Sequence, residues 1–374
     1  MVDKKLDGAG LRGQVAGETA LCTVGKSGTG LTYRGLDISV LADNAKFEEI
    51  AYLLLRGQLP KQEELDSYIN NIKGLRDLPQ ALKDVLERIP ASAHPMDVMR
   101  TGCSMLGNLE PESSFDQQDE IIDRLLATMP SIICYWYCYS HEDKRIDTAL
   151  DDDSIGAHFL HMLLGKTPSD LFTEAMNVSL ILYAEHEFNA STFTARVSAS
   201  TLSDMYSCIT GAIGSLRGPL HGGANEAAME MIEKWQSVEE AEEGILGMLE
   251  RKEKIMGFGH AIYSESDPRN IIIKVWAEKL ATKVGDNLLY PVSARCEEVM
   301  RREKKLFPNA DFFHACAYHF MGIPTKLFTP IFVISRITGW AAHVKEQRAN
   351  NRIIRPSAEY TGPEAAKWIN IADR

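Results

Sequence analysis

Helical periodicity constrains this chain more than any other feature. From Phe47 to Ala349, apolar residues recur at helical spacing in one segment after another, and clear period-two alternation is nearly absent. Phe47 to Arg56 is closed by Gly57 and Pro60. Lys61 to Lys73, Pro79 to Ile89 and Pro95 to Leu106 follow after short breaks. Asp119 to Tyr139 is longer, and Pro130 predicts a kink or a boundary within it. Ile155 to Leu164 comes next, with Asp151-Asp152-Asp153 read as acidic residues favoured by a helix N-terminus. Pro168 to Glu185 is apolar on most faces. Ser191 to Ser215 is rich in small residues and predicts one helix that packs closely, at a core or at a subunit interface. Val238 to Glu253, Pro268 to Lys283, Pro291 to Leu306, Ala310 to Met321 and Thr329 to Ala349 complete the set. Only the first 35 residues read otherwise, with a strand over Thr19 to Val24 and a turn at Lys26 to Gly30. The expected class is all-α. Segments between about residues 230 and 320 carry more charge than their neighbours, which predicts a smaller, more solvated subdomain inserted into a larger helical body.

The balance of charge narrows the partners. A net charge of -12 without a long basic run argues against nucleic acid or an anionic membrane surface. The seven cysteines form no CxxC pair, which suits reduced thiols in a cytoplasm. Met1 to Gly13 lacks the apolar core of a signal peptide. Asp123, Arg124 and Pro130 interrupt the most apolar run, Ile121 to Tyr139, so no membrane span is expected.

Arg217-Gly218-Pro219-Leu220-His221-Gly222-Gly223-Ala224-Asn225-Glu226 places one histidine among three glycines just before an amphipathic run, Ala224 to Trp235. Glycine allows a close backbone or ligand approach, and a helix N-terminus disfavours an imidazolium. A neutral His221 there could donate to a developing oxyanion; the alternative is a glycine-rich turn that happens to carry a histidine. Gly257-Phe258-Gly259-His260 is a second such site. Asp267 and Pro268 read as cap and first position of a helix. Arg269 then lies in the first turn, against the dipole. It either binds an anion or is an exposed partner of Glu265 or Asp267. Asp311 opens a helix beside Phe312 and Phe313, where desolvation would make it a better base. Arg336, one turn from Phe332, Val333, Gly339 and Trp340, needs an anionic partner, either a buried glutamate or a ligand carboxylate. His158 and His161 share a helix face without a matching carboxylate or cysteine and are read as packed histidines, with no metal site. No GxSxG is present. The set fits acid–base chemistry on a multiply charged carboxylate.

Six motifs in order carry a resemblance that runs from about residue 17 to the C-terminus. They are Ala184 to Thr192 (AEHEFNAST), Gly218 to Glu226 (GPLHGGANE), Gly257 to His260 (GFGH), Asp267 to Arg269 (DPR), Phe307 to Asp311 (FPNAD) and Ser335 to Trp340 (SRITGW). Jointly they resemble the citrate synthase family. Ala93 to Gly102 and Ile353 to Pro363 are similar to its bacterial 2-methylcitrate synthase branch. Ala261 departs from the arginine that many bacterial members carry after the GFGH histidine. The resemblance implies an all-helical homodimer whose large domain is residues 1–222 with 323–374 and whose small domain is 223–322. It implies condensation of propionyl-CoA with oxaloacetate, or of acetyl-CoA in the alternative, and more remotely a non-catalytic acyl-CoA-binding scaffold. Coenzyme A enters as a thioester substrate, with no tightly bound cofactor. Asp311 would be the base, His221 the thioester donor and His260 the donor to the oxaloacetate carbonyl. His186, Arg269 and Arg336 would hold oxaloacetate, joined by Arg355 from the partner subunit. The backbone of Lys254, Ile255, Met256, Gly257 and Phe258 would cradle the adenine, and Lys73 would meet the coenzyme's phosphates.

Overall fold

The computed structural model describes Leu11 and residues 14–26 and 30–374. The expected turn at Lys26 to Gly30 and most of the Met1 to Gly13 segment therefore lie outside the described residues. Three short antiparallel strands, β1 (Cys22–Lys26), β2 (Gly30–Tyr33) and β3 (Leu36–Asp37), open the chain in the order β1-β2-β3. Cys22 stands opposite Tyr33 and Val24 opposite Leu31. Among the described residues, the regular elements that follow are helices, as the periodicity requires.

The first helices are α1 (Ile38–Asn44), α2 (Phe47–Arg56), α3 (Gln62–Gly74), α4 (Gln80–Leu86) and α5 (Pro95–Leu109). Their ends follow local rules. Gly57 closes α2 in the left-handed conformation, and His94 caps α5, with Pro95 in its first turn. Next comes α6 (Gln118–Glu142), which contains Pro130 without ending there. The expected boundary is absent because both flanks of Pro130 are buried, from Ile121 to Trp136 with Arg124 the only exception. That much packing outweighs one lost backbone bond and a proline cost of about 3 kcal/mol.

Next come α7 (Ile155–Leu164), α8 (Asp170–Tyr183), α9 (Ala190–Ser200) and α10 (Met205–Leu216). The single helix expected from Ser191 to Ser215 is two. Leu202 takes a φ of 65°, and the Asp204 side chain then caps α10 by accepting the Ser207 amide at 2.9 Å. The uniform Ser/Thr/Ala composition on both sides hides the break. Small residues do let the two helices approach, since a Cβ on Gly211 would touch Thr194 and Ser198 at 3.5 and 3.6 Å. The acidic run is also not a dipole cluster. Ser154 caps α7, while Asp151 and Asp153 grip Lys73 at 2.6 and 3.1 Å and Asp152 holds His161 at 3.0 Å.

Helices α11 (Ala224–Ile232), α12 (Val238–Glu250), α13 (Pro268–Val284), α14 (Leu289–Lys304) and α15 (Ala310–Phe320) pack largely on one another, α13 and α11 against α15 and α12 against α14. They meet the rest through α13 against α1 and α8, and through α11 against α16 (Phe328–Ala349). Helix α16 is the central element, packed on α2, α6, α8, α9 and α10. By length and composition it could cross a membrane, but its apolar window is wholly buried inside the protein. After it, residues 350–374 run almost without secondary structure over the surface.

Candidate active site

One cleft of about 1200 Å³ gathers His186, His221, His260, Arg269, Asp311 and Arg336 from five separate stretches of chain. Lys254 to Phe258 and Ala261 line it as well, and Leu220, 90% exposed, offers an apolar edge there.

His221 stands on the turn before α11, as its glycines predict. Gly222 is required there for packing, because a side chain would strike the Leu216 carbonyl and the Thr329 methyl. The imidazole faces α9. Its Nε2 accepts the Ser191 amide at 3.2 Å and lies 2.8 Å from the Ser191 hydroxyl, itself fixed by Trp340 Nε1 at 3.0 Å. An amide can only donate, so this hydrogen bonding assigns the proton to Nδ1. The helix terminus that orients the neutral ring is thus that of α9, where Ser191 lies in the first turn, and not that of α11. Burial, with Arg336 second, lowers its pKa to about 4.

His260 has the opposite tautomer. Its Nδ1 accepts the Ile262 and Tyr263 amides at 3.1 and 3.3 Å, which leaves the proton on Nε2. Burial and then Arg269 lower its pKa to about 4, against the pull of Asp267. The glycine loop before it is clamped to the start of α15. Gly259 donates to the Phe307 carbonyl and Asn309 to the Gly257 carbonyl, both at 2.8 Å. Gly257 has a φ of 85°, and a Cβ there would stand 2.8 Å from Phe312. The same clamp therefore positions both His260 and Asp311.

Asp311 lies in the first turn of α15, capped by Asn309. Tyr183 donates its hydroxyl to Oδ1 at 2.6 Å. Burial raises the carboxyl pKa, while Tyr183 and Arg269 pull it down. The apolar setting expected from Phe312 and Phe313 is present, since both rings are fully buried beside it.

Arg269 is buried and pairs with Asp267 through two contacts, Nε to Oδ1 at 3.0 Å and Nη2 to Oδ2 at 2.8 Å. Of its two readings, the Asp267 pair is present but the exposure is not, because Asp267 also accepts the Ala310 amide at 3.0 Å inside the core. Burial works against the charged guanidinium, and Asp267 outweighs it and holds the pKa above its usual value. Arg336 is 1% exposed. Its Nε donates to the Tyr183 carbonyl at 2.6 Å, its guanidinium lies 4.6 Å over Phe332, and its buried Nη2 has no protein partner. His186 is buried with Nε2 3.1 Å from the Tyr263 hydroxyl, and burial followed by Arg269 pushes its pKa well below the usual value.

Two expected residues do not line this cleft, and for Arg355 that agrees with a role in the partner subunit's cleft. Lys73 does not line the cleft and is held by Asp151 and Asp153. Arg355 is exposed on the C-terminal segment and does not line this cleft. Sequence reasoning missed Tyr183, Tyr263 and Ser191, and it saw Asp267 as a cap and as an exposed partner of Arg269, not as a buried one. A buried tyrosine needs a partner for its hydroxyl, and Tyr183 ends an apolar helix just before the AEHEFNAST motif, which was the available signal. His158 is a packed, hydrogen-bonded histidine whose Nε2 lies 3.1 Å from the Thr148 carbonyl. Among the described residues no group of three His, Cys, Asp or Glu side chains is arranged to hold a metal.

The cleft thus combines a buried carboxyl group, three imidazoles whose pKa values burial lowers, two of them with an assigned N–H, and two buried guanidinium groups. That set can move a proton, stabilise oxygen anions and bind carboxylates.

Residues 10–357 match the model of the family described as citrate synthase, C-terminal domain. A 2-methylcitrate synthase of Shewanella oneidensis is 71% identical over 371 residues, covering 99% of both chains. A Bacillus subtilis protein named citrate synthase 2 is 43% identical over 98% of both. Among solved structures, a citrate synthase of Thermoplasma acidophilum, in a ternary complex with carboxymethyl coenzyme A and oxaloacetate, superposes with a TM-score of 0.90 at 32% identity, covering 97% of this chain and 98% of that one.

Proposed function

The chain belongs to the citrate synthase family, and from that premise we propose that it condenses propionyl-CoA with oxaloacetate and water to give 2-methylcitrate and coenzyme A. The observation that carries the reaction type is the cleft itself, where Asp311, the His221 and His260 N–H groups and the unpartnered Arg336 Nη2 meet. The choice of propionyl-CoA rests on the 71% identity to a 2-methylcitrate synthase over nearly the whole chain.

In this reading Asp311 removes a proton from the acyl α-carbon. His221 donates from Nδ1 to the thioester oxygen and stabilises the enol or enolate. The new carbon–carbon bond forms at the oxaloacetate carbonyl, to which His260 donates from Nε2. Arg336, Arg269 and His186 bind oxaloacetate, and water then cleaves the thioester to release coenzyme A. The backbone of Lys254 to Phe258 holds the adenine end. Ala261 removes one arginine contact to the coenzyme's phosphates, and Lys73 is not assigned to replace it. No tightly bound cofactor or metal takes part.

Residues 223–322 act as a small domain that closes on residues 1–222 and 323–374, which excludes water during condensation. The limited contacts of α11 to α15 with the rest support this division. The chain works as a cytoplasmic homodimer in which Arg355 reaches the partner's cleft. Support comes from the exposed C-terminal segment, where Trp368 and Ile371 are 81% and 83% exposed, and from seven buried, unpaired thiols.

The second reading, acetyl-CoA as main substrate, is favoured by the 43% identical citrate synthase. The substrates differ by one methylene, for which a pocket discriminates by about 1–3 kcal/mol, or roughly 10- to 200-fold. Oxaloacetate-dependent release of free thiol, measured with both thioesters, decides between them. The expected result is a kcat/KM for propionyl-CoA at least about tenfold above that for acetyl-CoA. A preference for acetyl-CoA replaces the leading reading with the second.

A further inference from the structure

The catalytic reading leaves one buried hydroxyl without a task, and it touches the base. We propose that Tyr183 is the positioning residue of Asp311: its hydroxyl holds Oδ1 and keeps the carboxylate ionised, while its backbone carbonyl fixes Arg336, so one residue sets the base and the carboxylate-binding guanidinium in register. This rests on the condensation reading given above.

The geometry is specific. Tyr183 is the last residue of α8, and its side chain is 1% exposed. The hydroxyl donates to Asp311 Oδ1 at 2.6 Å. The carbonyl accepts Arg336 Nε at 2.6 Å. The ring is wedged between His314 of α15 and Phe332 of α16, each at a centroid separation of 4.2 Å. Phe332 in turn carries the Arg336 guanidinium on its face at 4.6 Å. Rotation of the phenol is therefore blocked on both faces by the helices that carry the base and the arginine.

The direction of the hydrogen bond follows from chemistry. Burial and the neighbouring Asp311 charge hold the phenol well above its usual pKa, so it donates and does not ionise. A phenol on Oδ1 leaves Oδ2 to receive the carbon-bound proton. Once Oδ2 is protonated, Oδ1 becomes a weaker acceptor and the bond to Tyr183 weakens. The hydroxyl thus opposes protonation, against the burial that favours it. Other charged groups facing Asp311 are Arg269 and Asp267 at the start of α13 and Arg336 on α16; none is altered by removing the hydroxyl.

The test compares wild type with Tyr183→Phe in oxaloacetate-dependent coenzyme A release from propionyl-CoA across pH. The acid limb of kcat/KM for the thioester should move to higher pH by about one unit, because a lost donor favours the neutral acid. Above that limb kcat should fall about tenfold, the effect of a base no longer held in line. KM for oxaloacetate should stay within about twofold, because the carbonyl that holds Arg336 remains. Placing 3-fluorotyrosine at position 183 strengthens the donor without changing the fold, and should move the limb to lower pH. An unmoved limb in either protein overturns the proposal. So does a rise in the oxaloacetate KM of Tyr183→Phe that matches its loss of kcat, which would make Tyr183 a support for Arg336 alone. Wild type without coenzyme A release would overturn the condensation reading itself, and this inference with it; active wild type with an unmoved limb overturns the inference only.

Discussion

Asp311→Asn is expected to lower kcat by about a thousandfold, within the range that a positioned general base contributes. The substitution keeps the shape of the side chain, and its amide oxygen can still accept the Tyr183 hydroxyl that now reaches Oδ1 at 2.6 Å. What it removes is the free oxygen that accepts a carbon-bound proton. Oxaloacetate should still bind with affinity within about twofold of wild type, because its ligands are elsewhere. Thiol release gives the first quantity, and calorimetric titration of oxaloacetate the second. Turnover that persists unchanged in the variant would remove Asp311 from the role of base.

Arg336→Met should act in the opposite way. Its Nη2 is buried without a protein partner, an arrangement that disfavours the free protein and suits a bound carboxylate. Methionine keeps the packing on Phe332 and loses the charge. Truncating one side of a desolvated charge pair costs about 2–5 kcal/mol, so the dissociation constant for oxaloacetate should rise by about a hundredfold or more. The protein should stay folded, because the relieved desolvation of the guanidinium offsets part of what buried Glu185 loses with its field, and His343 remains the nearer partner of that carboxylate. A variant that binds oxaloacetate normally, or one that simply unfolds, would contradict this account of Arg336. The two substitutions together separate proton removal from carboxylate binding.

Much of the fold was legible because helix periodicity and end signals are local. Phe47–Arg56 is closed where Gly57 predicts, and α13 starts at Pro268 behind Asp267. Errors came where a distant contact overrode a local rule. Pro130 stays inside α6 because neighbouring helices bury both flanks. Asp151 and Asp153 answer to Lys73, which is 78 and 80 residues away in sequence, and not to the helix that follows them. The α9–α10 break was signalled by Asp204, but composition masked it.

The site divides along the same line. His221, His260 and Asp311 are conspicuous because glycines or aromatic neighbours surround them. Their tautomers and protonation are not conspicuous, since they depend on groups far along the chain. The amide that orients His221 belongs to Ser191, and the hydroxyl on Asp311 belongs to Tyr183, 128 residues before it. Arg269 shows the limit most clearly. An exposed pair with Asp267 was one reading of this residue, and only the burial of Asp267 against the Ala310 amide shows that the pair is internal.

The most direct measurement of the central claim is a crystal structure with oxaloacetate and a non-reactive acyl-CoA analogue bound in this cleft. The expected result places the thioester oxygen within hydrogen-bonding distance of His221 Nδ1, the acyl α-carbon beside Asp311 Oδ2, and an oxaloacetate carboxylate on Arg336 Nη2. An analogue that lies away from His221, or a carboxylate that leaves Arg336 Nη2 unpartnered, would contradict it.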